Sequence, residues 1–559
     1  MSAEGMSPNV SPDVQGLVGG QRLFVRNATG LVRSANALDM AVFNICGNMV
    51  IPFATGLFWA YAVFPRANMP IAILAGGVLC AFTWFCWAFL ATTMPKTGGG
   101  YIFNSRILHP LVGFSADWLN WIGTVIAFGL WTTWLSTVAL SAVFSTWGAL
   151  EHSATVAGWA GTVLHQNWTF ALGIPLILAV FACAVYSLKL SLRLQNLTFF
   201  ISTAGLLLAC VILIFTSQST YIANFNHFAF PYTHLQDSYH AIIAQAKHNG
   251  FTPPSIAGYS ASDTFNAIYM VLTVSIWAWS SAYLAGEMRH AARLRRETGV
   301  MAGSGAVQIL IILVATALFL KTAGSDFFSS INYLNTIGKN PLPAPPYYTL
   351  LAGVAFSNPV IVGLIVFSFV FGIWCGFWEL IGAASRPLFA YSFDGILPRR
   401  VADVNNRTHT PVGALAVLIV GAVAVHAWAS YSTFPAGFFR VWTYTGLFAF
   451  VMMAVTAISA IVLPWRRPQI YARSPARRSL FGVPLVSIFG FLSLITCGIY
   501  FWIIDKYETK LVTGASLRQL WGATAICVLS GVVIYFIAKV VRARQGARLE
   551  AAFAEIPPD

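Results

Sequence analysis

The sequence has 559 residues, of which 57% are hydrophobic and 9% charged, and its formal net charge is +14. Because the apolar residues come in blocks of about 20 or more, this composition excludes an ordinary water-soluble protein and predicts an all-α integral membrane protein. The positive charge fits a membrane topology signal and attraction to anionic lipid, so nucleic acid is not an expected partner.

Twelve transmembrane helices are predicted, with boundaries that are soft by about two to four residues. They cover residues 38–63, 69–93, 110–148, 168–188, 195–217, 264–287, 302–324, 355–386, 411–430, 439–464, 484–504 and 517–540. The third is too long for one simple span, so we expect it to be strongly tilted or to continue beyond the membrane.

Lys and Arg predict the orientation, since they collect on the cytoplasmic side. With both termini inside, the inner segments hold 24 of the 32 Lys and Arg residues. The expected location is therefore the cell membrane, crossed many times. The predicted divisions begin with a cytoplasmic N-terminal segment (1–36), helices 1 to 5 (37–217) and an extracytoplasmic loop (218–263). They continue with helices 6 to 10 (264–465), a cytoplasmic loop with helices 11 and 12 (466–541), and a cytoplasmic tail (542–559).

The first predicted span contains the stretch FNICGNMVIPFATG, from Phe43 to Gly56, whose Asn, Gly and Pro residues weaken a helix. In hydrocarbon an unwound turn survives only where protein, water or a ligand satisfies its N–H and C=O groups. Such a break exposes N–H groups that suit a carboxylate and carbonyls that suit an ammonium group or a cation. The stretch therefore predicts a site for a small charged or dipolar solute. A simple kink, with Asn44 and Asn48 bridging helices, is the alternative.

Five spans later, the stretch SIWAWSS in helix 6 places three serines and two tryptophans in mid-membrane. A pair of interrupted helices at matching positions is typical of transporters built from two halves of opposite topology. The tryptophans are expected either to line a pocket or to pack between helices without contacting a substrate. The predicted substrate-binding residues are Asn44, Gly47, Asn48, Val50, Ile51, Pro52, Gly56, Ser275, Trp277, Trp279, Ser280 and Ser281.

A resemblance to a known family is carried by residues 73–118, AILAGGVLCAFTWFCWAFLATTMPKTGGGYIFNSRILHPLVGFSADW. This run resembles helix 2, the first inner loop and the start of helix 3 of the amino acid-polyamine-organocation permeases. RLQN, AGEMRHAAR, SRPLFAYSFDGILPRRVADVN and LPWRRPQIYARSP add further similarity, so that most of residues 30 to 500 is covered. The matching positions in the first run are Pro95, Gly98, Gly99, Tyr101, Arg106, Pro110, Gly113, Phe114 and Trp118.

The resemblance implies a leucine-transporter-like fold with a 5+5 inverted repeat, two extra helices, and breaks in helices 1 and 6. It also implies a secondary transporter of amino acids that works by alternating access. Two departures are clear: the family's G-S-G triplet of helix 1 aligns near residues 50–52, and an acidic residue of its helix 2 is Phe89 here.

Ion coupling has four candidate residues. Relatives that resemble this chain carry a lysine in helix 5, and Ser202 and Thr203 stand at that place. Their hydroxyls and that of Ser385 are candidate sodium ligands, or they simply bond carbonyls of their own helices. Glu379, a carboxyl group inside helix 8, is a candidate proton carrier, with a salt bridge to Arg386 as the alternative.

No cofactor, metal site or enzymatic activity is expected, because the eight cysteines form no CxxC pair and no HExxH or GxSxG motif is present. The coupling ion, H⁺ or Na⁺, remains open, as do the oligomeric state and the direction of transport. Neither predicted break contains an acidic residue, which favours neutral or hydrophobic amino acids as the substrate. The alternatives are a permease for polyamines or other organic cations, and a membrane nutrient receptor that does not transport.

Overall fold

The computed structural model describes residues 17–18, 21–22, 31, 33–49, 51–151, 153–356, 358–432, 438–511 and 517–553. Within these ranges the chain is mostly helical, and its strands form two antiparallel hairpins of two-residue strands. One hairpin pairs β1 (Leu17–Val18) with β2 (Gln21–Arg22), and the other pairs β3 (Ser479–Leu480) with β4 (Val483–Pro484).

The α-helices follow the apolar blocks of the sequence. In chain order they are α1 (Ala37–Cys46), α2 (Ile51–Val63), α3 (Met69–Thr93), α4 (Gly99–Ile107), α5 (Pro110–Trp134), α6 (Ser141–Leu150), α7 (Ala154–Leu164), α8 (Gln166–Tyr186), α9 (Leu188–Phe215), α10 (Gln218–Thr233), α11 (Ser238–His248), α12 (Pro254–Ala257), α13 (Ala261–Ser275), α14 (Leu294–Thr298), α15 (Ser304–Ala323), α16 (Ser325–Thr336), α17 (Tyr348–Gly353), α18 (Pro359–Phe393), α19 (Val412–Tyr431), α20 (Phe438–Arg466), α21 (Pro468–Ala472), α22 (Leu485–Leu511) and α23 (Leu517–Arg544). Residues Leu135–Leu140 and Gly299–Gly303 are π-helical, and Ser280–Glu287, Arg399–Ala402 and Leu549–Phe553 are 3₁₀-helical.

Eleven helical stretches of the described chain are long and apolar enough to cross a membrane. They confirm the predicted all-α, multi-pass membrane fold. The predicted first span is divided between α1 and α2, each shorter than a full crossing, so the count of twelve stays a prediction. The long third span runs from Pro110 to Leu150, through α5, the first π-helical segment and α6.

The first interruption lies between α1 and α2. The helix α1 begins with a capping box, in which Asn36 accepts from the Asp39 N–H at 3.0 Å and Asp39 accepts from the Asn36 N–H at 2.9 Å. It ends at Cys46, turns occupy residues 47–49, and α2 begins at Ile51. The Asn- and Gly-containing stretch thus coincides with the end of a helical hydrogen-bond ladder.

The second interruption follows α13. Regular α-helix ends at Ser275, turns follow, and the chain continues as the 3₁₀-helical segment Ser280–Glu287, which we call the 280–287 segment. Its end pairs with the chain before α1, because the Ala35 N–H donates to the Glu287 carbonyl at 3.1 Å and the Arg289 N–H donates to the Ala35 carbonyl at 3.0 Å. The two interrupted elements are therefore neighbours in space.

The predicted extracytoplasmic loop, residues 218–263, and a second loop after the seventh predicted span, residues 325–347, contain helices. They are α10 to α12 in the first loop and α16 in the second, and we call them the loop helices. The Tyr239 ring stacks on Phe327 with centroids 4.4 Å apart, and its hydroxyl donates to the Ala323 carbonyl at 2.8 Å. Phe328 of α16 meets Tyr61 of α2 edge-on, with centroids 5.2 Å apart. Of the loop helices, α11 therefore packs on α16, and α16 packs on α2, the second half of the interrupted first span.

The start of α5 packs closely against α4 at Gly113. A Cβ atom at Gly113 would collide with the backbone N and Cα of Ser105 in α4, whereas at Gly522 in α23 it would meet no atom of the described chain within 4 Å. We expect Gly113→Ala to destabilise the protein by about 1–3 kcal/mol, because backbone atoms cannot move aside. Gly522→Ala should stabilise it by roughly 0.5–1 kcal/mol. Thermal unfolding in detergent checks this; equal midpoints for both variants would contradict it.

Candidate substrate-binding site

Glu379 of α18 joins the two interruptions. Its carboxyl group is buried; Oε2 accepts from the Gly47 N–H at 3.2 Å and from Asn48 Nδ2 at 3.3 Å, and Oε1 accepts from Ser280 Oγ at 2.8 Å. Three chain segments that are far apart in sequence therefore meet at one carboxyl group. Buried carboxyl groups in membrane spans are costly, which makes this one a candidate functional residue.

Gly47 allows the Glu379 carboxyl group to approach the backbone of α1 closely because it has no side chain. A Cβ atom there would collide with Glu379 Oε2 and would lie 3.3 Å from the Trp131 ring. The glycine is thus required for the close approach of α18 to the end of α1.

Asn44 bridges the two interruptions in a different way. Its Oδ1 accepts from the Ser281 N–H at 2.7 Å, and its Nδ2 donates to the Val300 carbonyl at 3.0 Å. Its amide group is fully buried and engaged with backbone on both sides. Asn44 therefore fits the helix-bridging interpretation, whereas Asn48 faces Glu379.

A cavity of about 60 Å³ opens beside Glu379. This volume has room for a few water molecules or a small solute group. Aromatic and aliphatic side chains form most of its wall, and five of the twelve lining residues are polar. The lining residues are Asn48, Asn120, Gly123, Thr124, Ala127, Leu130, Trp131, Trp134, Trp277, Glu379, Leu380 and Thr445.

The two tryptophans of the second interruption differ in position. Trp277 lines the cavity, and its Nε1 donates to the Thr273 carbonyl at 2.7 Å. Trp279 is buried, and its ring stacks on Trp87 with centroids 4.0 Å apart and planes at 25°. Trp277 thus faces the cavity, and Trp279 fits the packing interpretation.

The sequence also matches a known protein family. The family described as amino acid permease matches residues 40–537, which is most of the chain and includes both interruptions. The chain belongs to the amino acid permease family. No curated protein matches the sequence. The family makes the protein a membrane transporter of amino acids, and the apolar helical stretches of the described chain agree with a multi-pass protein.

The remaining predicted residues of the permease are spread around the interruptions. Gly56 is buried inside α2. Ser275 and Ser281 are buried, and among the described residues their hydroxyl groups have no hydrogen-bond partner. Val50 lies outside the described residues, and Ile51 and Pro52 are described through their backbone alone, in the first turn of α2.

The hydroxyl groups of the candidate ion-coupling residues do not share a common hydrogen-bond partner among the residues that the structure describes. Ser202 Oγ donates to the Phe199 carbonyl at 3.1 Å, and Ser385 Oγ donates to the Ile381 carbonyl at 2.6 Å. Arg386 Nη1 also donates to Ser385 Oγ at 2.9 Å, and a guanidinium group so close disfavours a sodium ion at Ser385. The Thr203 hydroxyl is buried, with no hydrogen-bond partner in the described part of the chain.

One sequence interpretation is corrected, and another is weakened. Arg386 pairs with Glu287, through Nε to Oε1 and Nη2 to Oε2, each at 2.9 Å, so the alternative of a Glu379–Arg386 salt bridge is wrong. Neither break contains an acidic residue, as the sequence shows, but α18 brings Glu379 to both of them, so the sequence of the breaks alone no longer argues against a cationic group there. A buried carboxyl group is therefore present where the two interruptions meet.

Several site residues were missed in the sequence. Asn120 and Thr124 of α5 line the cavity, and Asp117 lies one turn before Asn120. Positions 117, 120 and 124 repeat at helical spacing, so a polar stripe along a predicted span was the available signal. Trp131 and Trp134 carried no such signal, since aromatic residues are common in apolar spans.

Proposed function

We propose that this permease moves neutral or hydrophobic amino acids across the cytoplasmic membrane, and that the substrate's ammonium group binds at Glu379. The observation that carries the proposal is the buried Glu379 carboxyl group, which bonds residues of both interruptions. The C-terminus of α1 lies beside Glu379, and its free carbonyl groups add a partial negative charge that attracts a cationic group. A cation that replaces part of the present hydrogen bonding offsets the cost of the buried carboxylate.

The carboxylate of the substrate has a partner at the start of α2. The first N–H groups of a helix lack intrahelical acceptors and attract anions. Since α2 begins at Ile51, only four residues after Gly47, one zwitterion reaches both ends of the gap. An amino acid thus meets opposite partial charges at the two sides of the interruption.

The cavity wall favours an uncharged side chain. Trp131, Trp134 and Trp277 provide broad apolar surfaces, and Leu130 and Leu380 add aliphatic ones. Glu379 is the charged residue of this wall, and we assign its charge to the ammonium group. A second charge on the substrate side chain would lack a partner there and would be costly to bury.

Alternating access is the mechanism that we propose, with the interrupted helices moving around a fixed site near the middle of the membrane. The excess of Lys and Arg in the predicted inner segments supports cytoplasmic termini. Protonation of Glu379, when the substrate leaves, is the coupling step that its burial supports best. A sodium ion is the alternative.

A permease for organic amines is a second candidate, because Glu379 alone would bind an ammonium group. Three matched probes separate the two functions: leucine, 3-methylbutylamine, which lacks the carboxylate, and 4-methylpentanoate, which lacks the ammonium group. We expect leucine to raise the unfolding temperature of the purified permease by mass action and the other two to have little effect. Stabilisation by the amine but not by leucine would reject the first proposal. If neither these three compounds nor any member of a broad panel of amino acids stabilises the protein, both proposed functions are rejected.

The two tryptophans make a matched pair of variants. Trp277→Ala should weaken amino acid binding about tenfold through lost aromatic contact, with a small loss of stability. Trp279→Ala should destabilise the fold by about 3–5 kcal/mol, since it removes a buried ring stacked on Trp87. Binding curves and thermal unfolding of both variants check this. The reverse pattern would place the substrate on the Trp279 side.

A further inference from the structure

A second buried carboxyl group, Asp117 of α5, lies one helical turn from the cavity. Its Oδ1 accepts from the Tyr283 hydroxyl at 2.9 Å, and its Oδ2 accepts from the Tyr391 hydroxyl at 2.6 Å. The Tyr283 hydroxyl also accepts from Asn120 Nδ2 at 2.9 Å. Asn120 lines the cavity, so a hydrogen-bonded series runs from the cavity wall to Asp117.

The series continues towards the Arg-rich ends of the helices. The Tyr391 ring meets Tyr101 edge-on with centroids 4.8 Å apart, and the Tyr101 hydroxyl donates to Asp394 Oδ2 at 2.7 Å. Arg106 Nη2 forms an ion pair with the same oxygen at 2.6 Å. Hydrogen bonds and one edge-on ring contact therefore link the cavity wall to the side where Arg106 lies, which the Lys and Arg bias predicts to be cytoplasmic.

The members of this series are buried and mutually satisfied. Asp117, Tyr283 and Tyr391 are each fully buried, and each oxygen of Asp117 receives one hydroxyl group. Hydrogen bonds in such surroundings are electrostatically stronger than in water, and an unpaired member would be costly. Loss of any one of these hydrogen bonds would therefore leave a buried polar group without its partner.

Tyr283 lies in an irregular segment, whereas Asp117, Asn120 and Tyr391 lie in long α-helices. It belongs to the 280–287 segment, which follows the second interruption and is 3₁₀-helical. Such segments have poorer hydrogen-bond geometry than α-helices and often mark hinges. Asp117, Asn120 and Tyr391 lie on the long helices α5 and α18. The Tyr283–Asp117 bond therefore ties an irregular segment to regular helices.

We propose that Asp117 is a positioning residue for a gate: it holds the 280–287 segment against α5 and so closes the cavity on the Arg106 side. Opening then requires the Tyr283 hydroxyl to leave Asp117. The Gly98 N–H, which donates to the Tyr283 carbonyl at 3.0 Å, ties the turn before α4 to the same segment. This inference rests on the proposed alternating access. It extends that function by naming the hydrogen bond that holds the gate closed, from the Tyr283 hydroxyl group to Asp117.

Two substitutions that each remove one hydroxyl group from the same carboxyl test this. Tyr283→Phe breaks the bond from the 280–287 segment, whereas Tyr391→Phe breaks the bond between α18 and α5 and leaves the first intact. A cysteine introduced as Thr124→Cys in the cavity wall reports access. It is labelled in vesicles by a small membrane-impermeant thiol reagent, added to one side at a time, and its peptide is quantified by mass spectrometry so that the native cysteines do not interfere.

We expect Tyr283→Phe to raise labelling from the Arg106 side about three- to tenfold, the shift that follows from losing one or two net hydrogen bonds. Tyr391→Phe should label at the parent rate. Equal rates in the two variants, or an equal rise from both sides, would overturn the proposal. Should Tyr283→Phe fail to fold, Asp117→Asn replaces it, with a rise from the Arg106 side expected and an unchanged rate contradictory. Labelling needs no substrate, so a negative result leaves the amino acid proposal untouched.

Discussion

Glu379→Gln is expected to weaken amino acid binding about 10- to 100-fold and to suppress uptake, while the fold is retained. Glutamine keeps the size of the side chain and its hydrogen-bonding oxygen, but it removes the negative charge that faces the ammonium group. A hydrogen bond to a charged group contributes about 1.5–3 kcal/mol, which corresponds to this loss of affinity. Binding curves and uptake into proteoliposomes measure the effect.

Glu297→Gln supplies the matched control, because Glu297 of α14 is also a buried glutamate and does not line the cavity. The same chemical change there should leave substrate affinity near that of the parent protein. Equal losses in both variants would mean that charge at Glu379 acts on the fold rather than on the substrate. Parent-like affinity in Glu379→Gln would remove the basis of the proposed site.

Glu287→Gln is expected to lower the free energy of unfolding by about 3–5 kcal/mol. Arg386 and Glu287 form a buried pair with two hydrogen bonds, and the substitution leaves the guanidinium charge buried without its counter-charge. Thermal unfolding in detergent, at one pH and salt concentration, measures the loss.

The exposed pair of Lys539 and Glu550 provides the comparison for this prediction. Surface ion pairs contribute little, so Glu550→Gln should change stability by less than about 1 kcal/mol. A double variant with Glu287→Leu and Arg386→Met should recover part of the loss, because no charge is then left unpaired. Similar small effects at both pairs would contradict a structural role for the buried one.

The helical spans were predictable from sequence because a bilayer imposes one physical requirement, a length of apolar residues. The end of α1 was predictable for a related reason. Asn, Gly and Pro in the stretch from Phe43 to Gly56 weaken a helix locally, and α1 ends at Cys46 inside that stretch. Both are properties of neighbouring residues, which a sequence displays directly.

The partners of the site residues were not predictable in this way. Glu379 meets Gly47 across more than 300 residues, and Trp279 meets Trp87 across almost 200. These contacts depend on how the helices pack, and no local pattern encodes that packing. Arg386 shows the same limit, since its partner Glu287 is on another element and not on its own helix.

The loop helices were missed for a different reason. Residues 218–263 are rich in His, Asn, Tyr and Pro, and such a composition is typical of loops. Their helices are held by tertiary contacts, among them the stacked rings of Tyr239 and Phe327. Packing thus overrides the local preference of the chain.

The most direct test of the account is an experimental structure of the permease with a bound neutral amino acid. We expect the ammonium group within hydrogen-bonding distance of the Glu379 carboxyl group, the carboxylate at the start of α2, and the side chain against Trp277. An amino acid bound elsewhere, with Glu379 still bonded to Gly47, Asn48 and Ser280, would contradict it.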